Sequence, residues 1–381
     1  MTYANIILPL PLEGYFTYGV PDALASDVRP GVRVSVPLGK CKTYVGIVAA
    51  YPVEIPDSSE EKAVSGKKIV YKNIIEVLDD SPVLLPRQLK LWHWIADYYM
   101  SPIGEVYKAA LPSGLKAEDG FRPRTELYIR LADNLRDGRT LAFIIESMQR
   151  AAKQIEVLKA YLRLAGVDEM GGITPGTPLR EVTREELMNV THASAAVVQA
   201  LQRRKILVTY EKEVGRLNHG AVPHPERIKP LNEAQTDAYN QTLIQMMTHP
   251  VTLLHGVTSS GKTEIYIHLI QKAINEHKQV LYLLPEIALT VQITGRLQAV
   301  FGSRLGIYHS KYSDAERVEI WKKQLSETPY DVILGARSAV FLPFQRLGLV
   351  IVDEEHEQSF KQQDPAPRYH ARSAAIVLAQ M

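Results

Sequence analysis

Two stretches of this sequence carry residues whose types and spacing suit phosphate chemistry. The first, GVTSSGKT at 256–263, matches the phosphate-loop pattern G-x-x-x-x-G-K-[ST] at every fixed position. The apolar run VTLLHG at 251–256 leads into it, and a predicted helix at 264–277 follows. A strand, a loop and a helix therefore occur in the order that a nucleotide-binding loop requires.

The residues of this loop have separate predicted tasks. Gly256 and Gly261 let the main chain wrap around phosphates, so that amides and a helix N-terminus face the anion; Ser260 belongs to the same binding loop. Lys262 neutralises the β- and γ-phosphates, and the hydroxyl of Thr263 ligates Mg²⁺. The sequence thus predicts ATP and Mg²⁺ as cofactors.

The second stretch, GLVIVDEEHEQSFKQQ at 348–363, joins an apolar strand to an acidic end. Asp353 is predicted at the carboxyl end of the strand, where ligands of open α/β sheets bind, and would hold Mg²⁺ through water. Glu354 is placed to polarise the attacking water as a general base. Adjacent carboxylates also occur as solvated strand ends, but the phosphate loop favours catalysis. The separation between Lys262 and Asp353 leaves room for two intervening strands.

His356 follows the acidic pair at a spacing that resembles the D-E-x-H box of superfamily 2 helicases. In that box the histidine links the γ-phosphate to the DNA-binding elements. A solvated surface histidine is the alternative. We predict Lys262, Asp353, Glu354 and His356 as the catalytic set.

Four apolar runs within 231–381 alternate with helical patterns. They are VTLLHG, VLYLLP, DVILGA and GLVIVDEE. Apolar runs with intervening helices are typical of a parallel sheet covered on both faces. We therefore expect a P-loop parallel-sheet lobe over 229–381 in a multidomain α/β protein.

Two further regions precede this lobe. Residues 1–111 contain short β-branched runs at 33–36, 44–48 and 74–78, which predict a small β-rich domain. A helical apolar pattern at 88–99 closes it.

Residues 121–217 predict a winged-helix domain. The pattern indicates helices at 154–164 and 193–203 and a strand at 206–210. Thr183 caps a further helix, with Glu186 three residues later at the spacing of a capping box. Two roles for this domain are possible: a wing that binds DNA or docks a partner, or a purely structural spacer.

Length and composition set the outer limits. The 381 residues are too many for one ordinary core, and 46% hydrophobic with 23% charged residues is ordinary for a globular protein. The single cysteine, Cys41, excludes an internal disulfide framework and a Cys-rich zinc site within this sequence. The sequence has no basic leader and no long apolar run, so we expect a bacterial cytoplasmic protein with no membrane association.

Several stretches make the C-terminal region resemble a known family. They are LNEAQTDAY, LLHGVTSSGKTEIY, LLPEIALT, GARSAVFLPF and VDEEHEQSFKQQDPAPRYHAR. They are similar to the first helicase lobe of the PriA family, the bacterial replication-restart DNA helicases of superfamily 2. The resemblance covers nearly all of 231–372 and implies a RecA-like lobe in an ATP-dependent 3′→5′ DNA helicase.

The resemblance also implies roles for single residues. Gln235 resembles an adenine-reading glutamine, whereas 286–290 and 335–338, with Arg337, resemble strips that follow the single-strand backbone. An aromatic-rich loop that couples strand binding to ATP turnover would hold Phe360, Lys361, Tyr369, His370 and Arg372. Aromatic faces stack on bases and cations hold phosphates. Core packing is the alternative for the two aromatic residues.

The N-terminal region resembles the same family through LPLEGYFTYGVP and GVRVSVPLGKCKTYVGIV. The family's opening domain captures the 3′ end of a nascent leading strand, and its pocket maps onto Phe16, Thr17, Gly39 and Lys72. The family usually has Asp where Thr17 stands, and a hydroxyl accepts from base amino groups more weakly than a carboxylate does. The aromatic residues Trp92, Trp94, Tyr98 and Tyr99 are expected in the core.

The family continues into a Cys-rich zinc module and a second helicase lobe, and this sequence contains neither. We therefore expect a fragment that binds DNA and nucleotide but does not unwind, with zinc only in the part that follows. The implied partners are forked DNA with a free leading-strand 3′ end, single-stranded DNA, single-strand-binding protein and primosome proteins. A fork-recognising adaptor with a non-catalytic lobe, or another superfamily 2 translocase, is the alternative.

Overall fold

A computed structural model describes most of the chain, and the described residues form two compact units. The described ranges are 2–39, 42–54, 71–118, 125–167, 179–213, 222–257, 260–286 and 291–381. One unit combines Met1–Arg122 with Leu217–Met381, and the other is Pro123–Arg216. Cys41 and most of the predicted strip at 286–290 lie outside the described residues.

The N-terminal part of the first unit is built on a five-stranded antiparallel sheet in the order β2-β1-β4-β3-β5. Its strands are β1 (Thr2–Ile7), β2 (Phe16–Val20), β3 (Arg33–Leu38), β4 (Lys42–Val53) and β5 (Glu76–Val77). The predicted β-rich region is confirmed. The run at 74–78 forms a shorter strand than predicted, because only Glu76 and Val77 continue the ladder with β3.

Two helices, α1 (Pro86–Tyr98) and α2 (Ile103–Ala110), pack on this sheet. The backbone N–H of Leu85 donates to Gln88 Oε1 at 2.8 Å, which satisfies one amide at the start of α1. The predicted core position of Trp92 is confirmed, but that of Tyr98 is wrong: 63% of Tyr98 is exposed, where it stacks on the half-buried Trp94. Tyr98 falls outside the apolar stripe that α1 turns towards the sheet.

The second unit contains a three-stranded antiparallel sheet in the order β7-β6-β8 and four helices. Its elements are β6 (Thr125–Leu131), α3 (Gly138–Ser147), α4 (Ala152–Leu164), β7 (Val182–Thr183), α5 (Arg184–Thr191), α6 (Ala195–Arg203) and β8 (Leu207–Glu213). The hydroxyl oxygen of Thr183 accepts from the Glu186 N–H at 3.0 Å, so the predicted cap of α5 is confirmed. Tyr161 and Leu187 belong to a core separate from that of the first unit.

The C-terminal part of the first unit holds a four-stranded parallel sheet in the order β10-β11-β9-β12. Its elements are α7 (Glu233–Thr248), α8 (Lys262–Asn275), β9 (Gln279–Leu283), α9 (Val291–Phe301), β10 (Leu305–Tyr308), α10 (Asp314–Leu325), β11 (Val332–Gly335), β12 (Leu347–Val352) and α11 (Ala371–Gln380). The predicted parallel α/β lobe is confirmed. Three strands, β9 to β11, separate Lys262 from Asp353, where the sequence had suggested two.

The run VTLLHG at 251–256 was predicted to be a buried strand, and this prediction is wrong. The structure assigns no strand there, and 75% of Leu253 is exposed. A strand needs a neighbour for its backbone hydrogen bonds. Instead, a cavity of about 670 Å³ is lined on one side by this run and on the other by β12, which is one of the two edge strands of the described sheet.

The two parts of the first unit share one hydrophobic core, in which Trp92 and Tyr107 belong to the same cluster as Trp321 and Phe341. Two buried hydrogen bonds cross between them. The Trp321 indole N–H donates to the Val83 carbonyl at 2.8 Å. The Gln88 amide donates to the Phe341 carbonyl at 2.5 Å. The β-rich region and the parallel-sheet lobe are therefore packed as one body.

None of the described helices combines the length and the hydropathy that a membrane span requires.

Candidate nucleotide and DNA site

The phosphate loop joins α8 at a residue that must be glycine. Gly261 precedes the helix with φ +84°, and a Cβ there would collide with the side-chain amide of Gln235. That amide donates to the Gly261 carbonyl at 3.2 Å, while its oxygen accepts from the Asn232 N–H at 3.0 Å. Gln235 therefore fixes the N-terminus of α7 against the loop.

The ammonium group of Lys262 is turned onto its own loop. It donates to the carbonyls of Gly256 at 2.6 Å and Val257 at 3.1 Å. The Ser260 N–H donates to the Val257 carbonyl at 3.2 Å, and the Ser260 Oγ would lie 2.9 Å from a Cβ built at Gly256. Thr263 lies half-buried in the first turn of α8. Residues 258 and 259 of the motif lie outside the described part of the chain. A bound phosphate would replace the two carbonyls as the acceptor of Lys262.

Asp353 lies at the carboxyl end of β12, as predicted. Its N–H donates to the Leu283 carbonyl at 3.0 Å, which continues the pairing of β12 with β9. Its Oδ2 accepts from the hydroxyl of Tyr282 at 3.0 Å. Its Oδ1 accepts from the Glu354 N–H at 3.1 Å and, at 3.5 Å, from the hydroxyl of Tyr266. The backbone and three donors thus hold this carboxylate.

Sequence reasoning did not identify Tyr266 and Tyr282 as part of the site. The only available signal was a tyrosine inside the otherwise aliphatic run VLYLLP. Burial raises the pKa of Tyr282 well above its ordinary value, and the negative charge of Asp353 raises it further. Tyr282 therefore remains protonated and serves as a hydrogen-bond donor.

Glu354 adopts a backbone conformation that is uncommon for a residue with a side chain. Its φ is +50°, which lies in the left-handed region, and such strain persists where the surrounding structure enforces it. The turn brings Glu354 Oε2 to 3.9 Å from His356 Nε2. His356 is 69% exposed in its side chain, so it faces solvent beside the acidic pair.

The predicted catalytic residues converge on one cavity. Lys262, Asp353, Glu354 and His356 all line the space of about 670 Å³ next to β12, and Arg372 lines it as well. The guanidinium of Arg372 pairs with the carboxylate of Glu355, a residue that sequence reasoning did not single out. The acidic turn is therefore tied to the start of α11.

The oxygen donors here fit Mg²⁺ in the way that nucleotide sites use it. Among the described residues no group of three His, Cys, Asp or Glu side chains could hold a metal by itself. Mg²⁺ typically binds through one or two carboxylates together with substrate phosphates and water. The carboxylate of Asp353 and the hydroxyl of Thr263 are hard oxygen ligands of this kind.

The predicted aromatic-rich loop is placed differently from the expectation. Phe360 is 0% and Tyr369 1% exposed, so both rings belong to the core and neither offers a face to a base. The stacking predicted for them does not fit these positions, because the surrounding lobe already covers both faces. Arg337 donates to the Lys361 carbonyl at 3.3 Å, and the Tyr369 hydroxyl donates to the Arg337 carbonyl at 3.5 Å.

Two residues of this loop instead contact Tyr99, which directly follows α1 in the β-rich region. The ammonium of Lys361 lies 5.0 Å from the centre of the Tyr99 ring, a cation–π distance. The Tyr99 hydroxyl accepts from the His370 N–H at 3.1 Å. The Lys361 ammonium also donates to the Arg368 carbonyl within this loop. The two contacts with Tyr99 join the loop to the N-terminal region in addition to the shared core.

The predicted 3′-end pocket is partly assembled. The Lys72 ammonium donates to the carbonyl of Gly39, whose φ is +67° and beside which space is open. The Lys72 carbonyl accepts from the Gly19 N–H at 2.8 Å, which brings this lysine to β2. Phe16 and Thr17 begin β2, half-buried.

The hydroxyl of Thr17 is already engaged. It donates to the side-chain oxygen of Asn5 on β1 at 3.0 Å, a partner that the sequence did not suggest. The hydroxyl keeps lone pairs free to accept from another group.

Comparison with known proteins gives a consistent domain order. Residues 5–112 match the 3′DNA-binding domain of PriA, and residues 126–214 match the winged helix domain of PriA helicase from Bacteroidota. Residues 232–378 match the DEAD/DEAH box helicase family. The matches follow the β-rich region, the second unit and the parallel-sheet lobe.

Individual relatives extend this match along the chain. The replication restart protein PriA of Haemophilus influenzae is 33% identical over 100% of this chain and 48% of its own length. That of Bacillus subtilis is 30% identical over 100% of this chain and 52% of its own length. In Helicobacter pylori strain J99, 154 residues of PriA are 43% identical and correspond to 40% of this chain and 25% of the relative.

The first two of these PriA proteins align with this chain over its whole length, but the chain spans only about half of their length. Along this chain, the two PriA domain matches precede the helicase match. The chain belongs to the family of PriA replication restart proteins.

Proposed function

We propose that this chain is the N-terminal part of an ATP-dependent 3′→5′ DNA helicase that recognises abandoned replication forks and starts primosome assembly. The observation that carries the proposal is the convergence of Lys262, Asp353 and Glu354 on one cavity that includes the carboxyl end of β12. This is where ligands of open α/β sheets bind.

Each residue has a task in this proposal. Lys262 holds the β- and γ-phosphates, and Thr263 and Asp353 hold Mg²⁺, which when bound neutralises charge on the phosphates. Glu354 accepts a proton from the attacking water, and His356 relays the state of the site towards DNA-binding elements. Gln235 recognises adenine by giving up one of its present hydrogen bonds and forming a hydrogen bond with the base.

The β-rich region supplies recognition of the fork. Phe16 stacks on the terminal base of a nascent leading strand, Gly39 allows a close backbone approach, and Lys72 holds a phosphate. Arg337, Lys361 and Arg372 add positive charge along the single strand. Single-strand-binding protein and primosome proteins act at the same forks in the bacterial nucleoid.

This chain by itself binds nucleotide and DNA but turns over ATP slowly and does not unwind. Motors of this kind place ATP between two lobes, and a transition-state arginine is worth about 10³–10⁵ in rate. The second lobe and a zinc module would belong to the remaining half of the family's length. DNA-stimulated ATPase of this chain tests the proposal, and rapid turnover contradicts it.

Binding of a fluorescent ATP analogue tests the nucleotide site directly. Lys262→Ala removes a charged hydrogen bond to phosphate worth about 1.5–3 kcal/mol, so we expect affinity to fall about tenfold or more. Lys272→Ala is the matched control, because it removes an exposed lysine of the same helix that pairs with Glu276 at the surface. Equal affinities for both variants would contradict the assignment.

Fork binding tests the 3′-end pocket. We expect tighter binding to a fork with a free leading-strand 3′ end than to the same fork with that end blocked. Phe16→Ala and Lys72→Ala should abolish this preference, whereas Lys90→Ala, which changes an exposed lysine on α1, should retain it. A wild-type chain that binds both forks equally would exclude 3′-end recognition.

A further inference from the structure

We propose that Tyr282 is a positioning residue whose hydroxyl orients the Asp353 carboxylate for Mg²⁺–nucleotide, with Tyr266 as its second support. The inference rests on the proposed nucleotide site and adds to it a residue that lies outside the phosphate loop and the acidic box. It concerns how the carboxylate of Asp353 is held, since Tyr282 itself is buried and is not among the residues that line the cavity.

The geometry gives Tyr282 little freedom. Its side chain is fully buried near the carboxyl end of β9, next to β12, and its hydroxyl reaches Asp353 Oδ2 at 3.0 Å. Tyr266 on α8 meets its ring edge to face, with 5.7 Å between ring centres and 75° between the planes. Each ring limits the rotation of the other, so the hydroxyl of Tyr282 is presented in one direction.

The pair connects the two halves of the site. Tyr266 belongs to the first turn and a half of α8, which starts at Lys262 in the phosphate loop, and its hydroxyl lies 3.5 Å from Asp353 Oδ1. Tyr282 approaches the other carboxylate oxygen from β9. A displacement of α8 by bound phosphate would therefore reach Asp353 through the tyrosines.

The donors leave the carboxylate able to bind metal. An ionised carboxylate has about four lone-pair positions. Tyr282 uses one on Oδ2, and the Glu354 N–H, with the longer contact from Tyr266, occupies Oδ1. A lone pair remains on Oδ2 for Mg²⁺ or for a water bound to it.

Two effects of the Tyr282 hydroxyl oppose each other. A hydrogen bond withdraws charge from the carboxylate and so weakens it as a ligand, but it also fixes the rotamer that faces the metal. Loss of a hydrogen-bonding partner behind a metal ligand typically costs about 10–100-fold in metal affinity or activity. Orientation therefore outweighs charge withdrawal, and Tyr282 strengthens Mg²⁺ binding.

The test is Tyr282→Phe, which removes only the hydroxyl. A fluorescent ATP analogue is titrated with Mg²⁺ and, separately, bound in EDTA. We expect the half-saturating Mg²⁺ concentration to rise about tenfold, while metal-free binding through Lys262 stays unchanged. Tyr308→Phe is the matched control, since Tyr308 is a buried tyrosine on β10, two strands from β9.

A merely structural role would change both titrations together or only the melting temperature. A Mg²⁺ requirement within twofold of the wild type would overturn the inference. Where Tyr282→Phe does not fold, Tyr266→Phe replaces it with a smaller expected rise, and an unchanged curve again overturns it. A wild-type chain without any Mg²⁺-dependent nucleotide binding contradicts the proposed function itself, before any variant is compared.

Discussion

Replacement of Trp321 by Phe should destabilise the β-rich region and the parallel-sheet lobe together. Trp321 lies on α10 and is fully buried, and its indole N–H donates to the carbonyl of Val83 at 2.8 Å. The acceptor precedes α1 in the N-terminal part, and the donor belongs to the lobe. The substitution thus acts on the core that the two parts share.

The expected loss of stability follows from two contributions. A buried carbonyl left without its donor costs about 1–3 kcal/mol. The smaller ring adds about 1 kcal/mol, at the low end of large-to-small core changes, because the surrounding side chains close the space only partly. The free energy of unfolding should therefore fall by about 2–4 kcal/mol.

Guanidinium denaturation followed by circular dichroism measures this change, and limited proteolysis follows the two parts separately. In Trp321→Phe, cleavage within 71–118 and within 291–381 should become faster to the same degree. Trp94→Phe, on α1 but half-exposed, is the control and should change stability by less than about 1 kcal/mol. If protection from proteolysis decreased only in the lobe and stayed unchanged in the β-rich region, the shared core would be refuted.

Two further predictions concern a misjudged strand and a histidine. Leu253→Ser should change the free energy of unfolding by less than about 0.5 kcal/mol, whereas Leu281→Ala on β9 should lower it by about 2–5 kcal/mol. Denaturation measures both, and similar losses of stability would show that 251–256 is buried. Burial, and then the charges of Arg372 and Lys361, lower the pKa of His370, whose ring accepts from the Arg372 N–H at 3.3 Å. Its contribution to stability is therefore complete above the unfolded pKa of about 6.5 and is lost as pH falls through the lower folded pKa. His370→Asn should flatten the acid side of the stability–pH curve, and an unchanged slope would contradict this.

The sequence predicted those elements whose signal is local. The glycine pattern around Lys262 and the apolar run before Asp353 need only neighbouring residues to be recognised. The cap at Thr183 was found for the same reason, since a hydroxyl three residues before Glu186 satisfies a free amide within the helix itself. Such features do not depend on what the rest of the chain packs against.

The errors arose where tertiary neighbours decide the outcome. Leu253 has the pattern of a strand, but a strand forms only where another backbone accepts its hydrogen bonds. The resemblance assigned Phe360 and Tyr369 to a loop that stacks on bases, with core packing as the alternative. The structure favours the alternative, because the same rings suit a core equally well. Tyr98 shows the reverse error: it was expected in the core and is exposed. Helical periodicity locates the apolar stripe of a helix but does not decide whether a residue at its border is buried.

In the candidate site, Asp353 is held by more contacts from neighbouring elements than the phosphate loop is. This difference determines how the site should respond to nucleotide. Asp353 is fixed by backbone pairing with β9 and by side-chain donors from two elements. The segment that leads into the phosphate loop has no strand neighbour among the described residues, and the Lys262 ammonium bonds to carbonyls of its own loop. Phosphate must displace those bonds, so part of its binding energy only replaces contacts that already exist. Nucleotide affinity should therefore depend on how readily the loop rearranges, whereas the metal requirement should depend on Asp353 and the tyrosines that hold it.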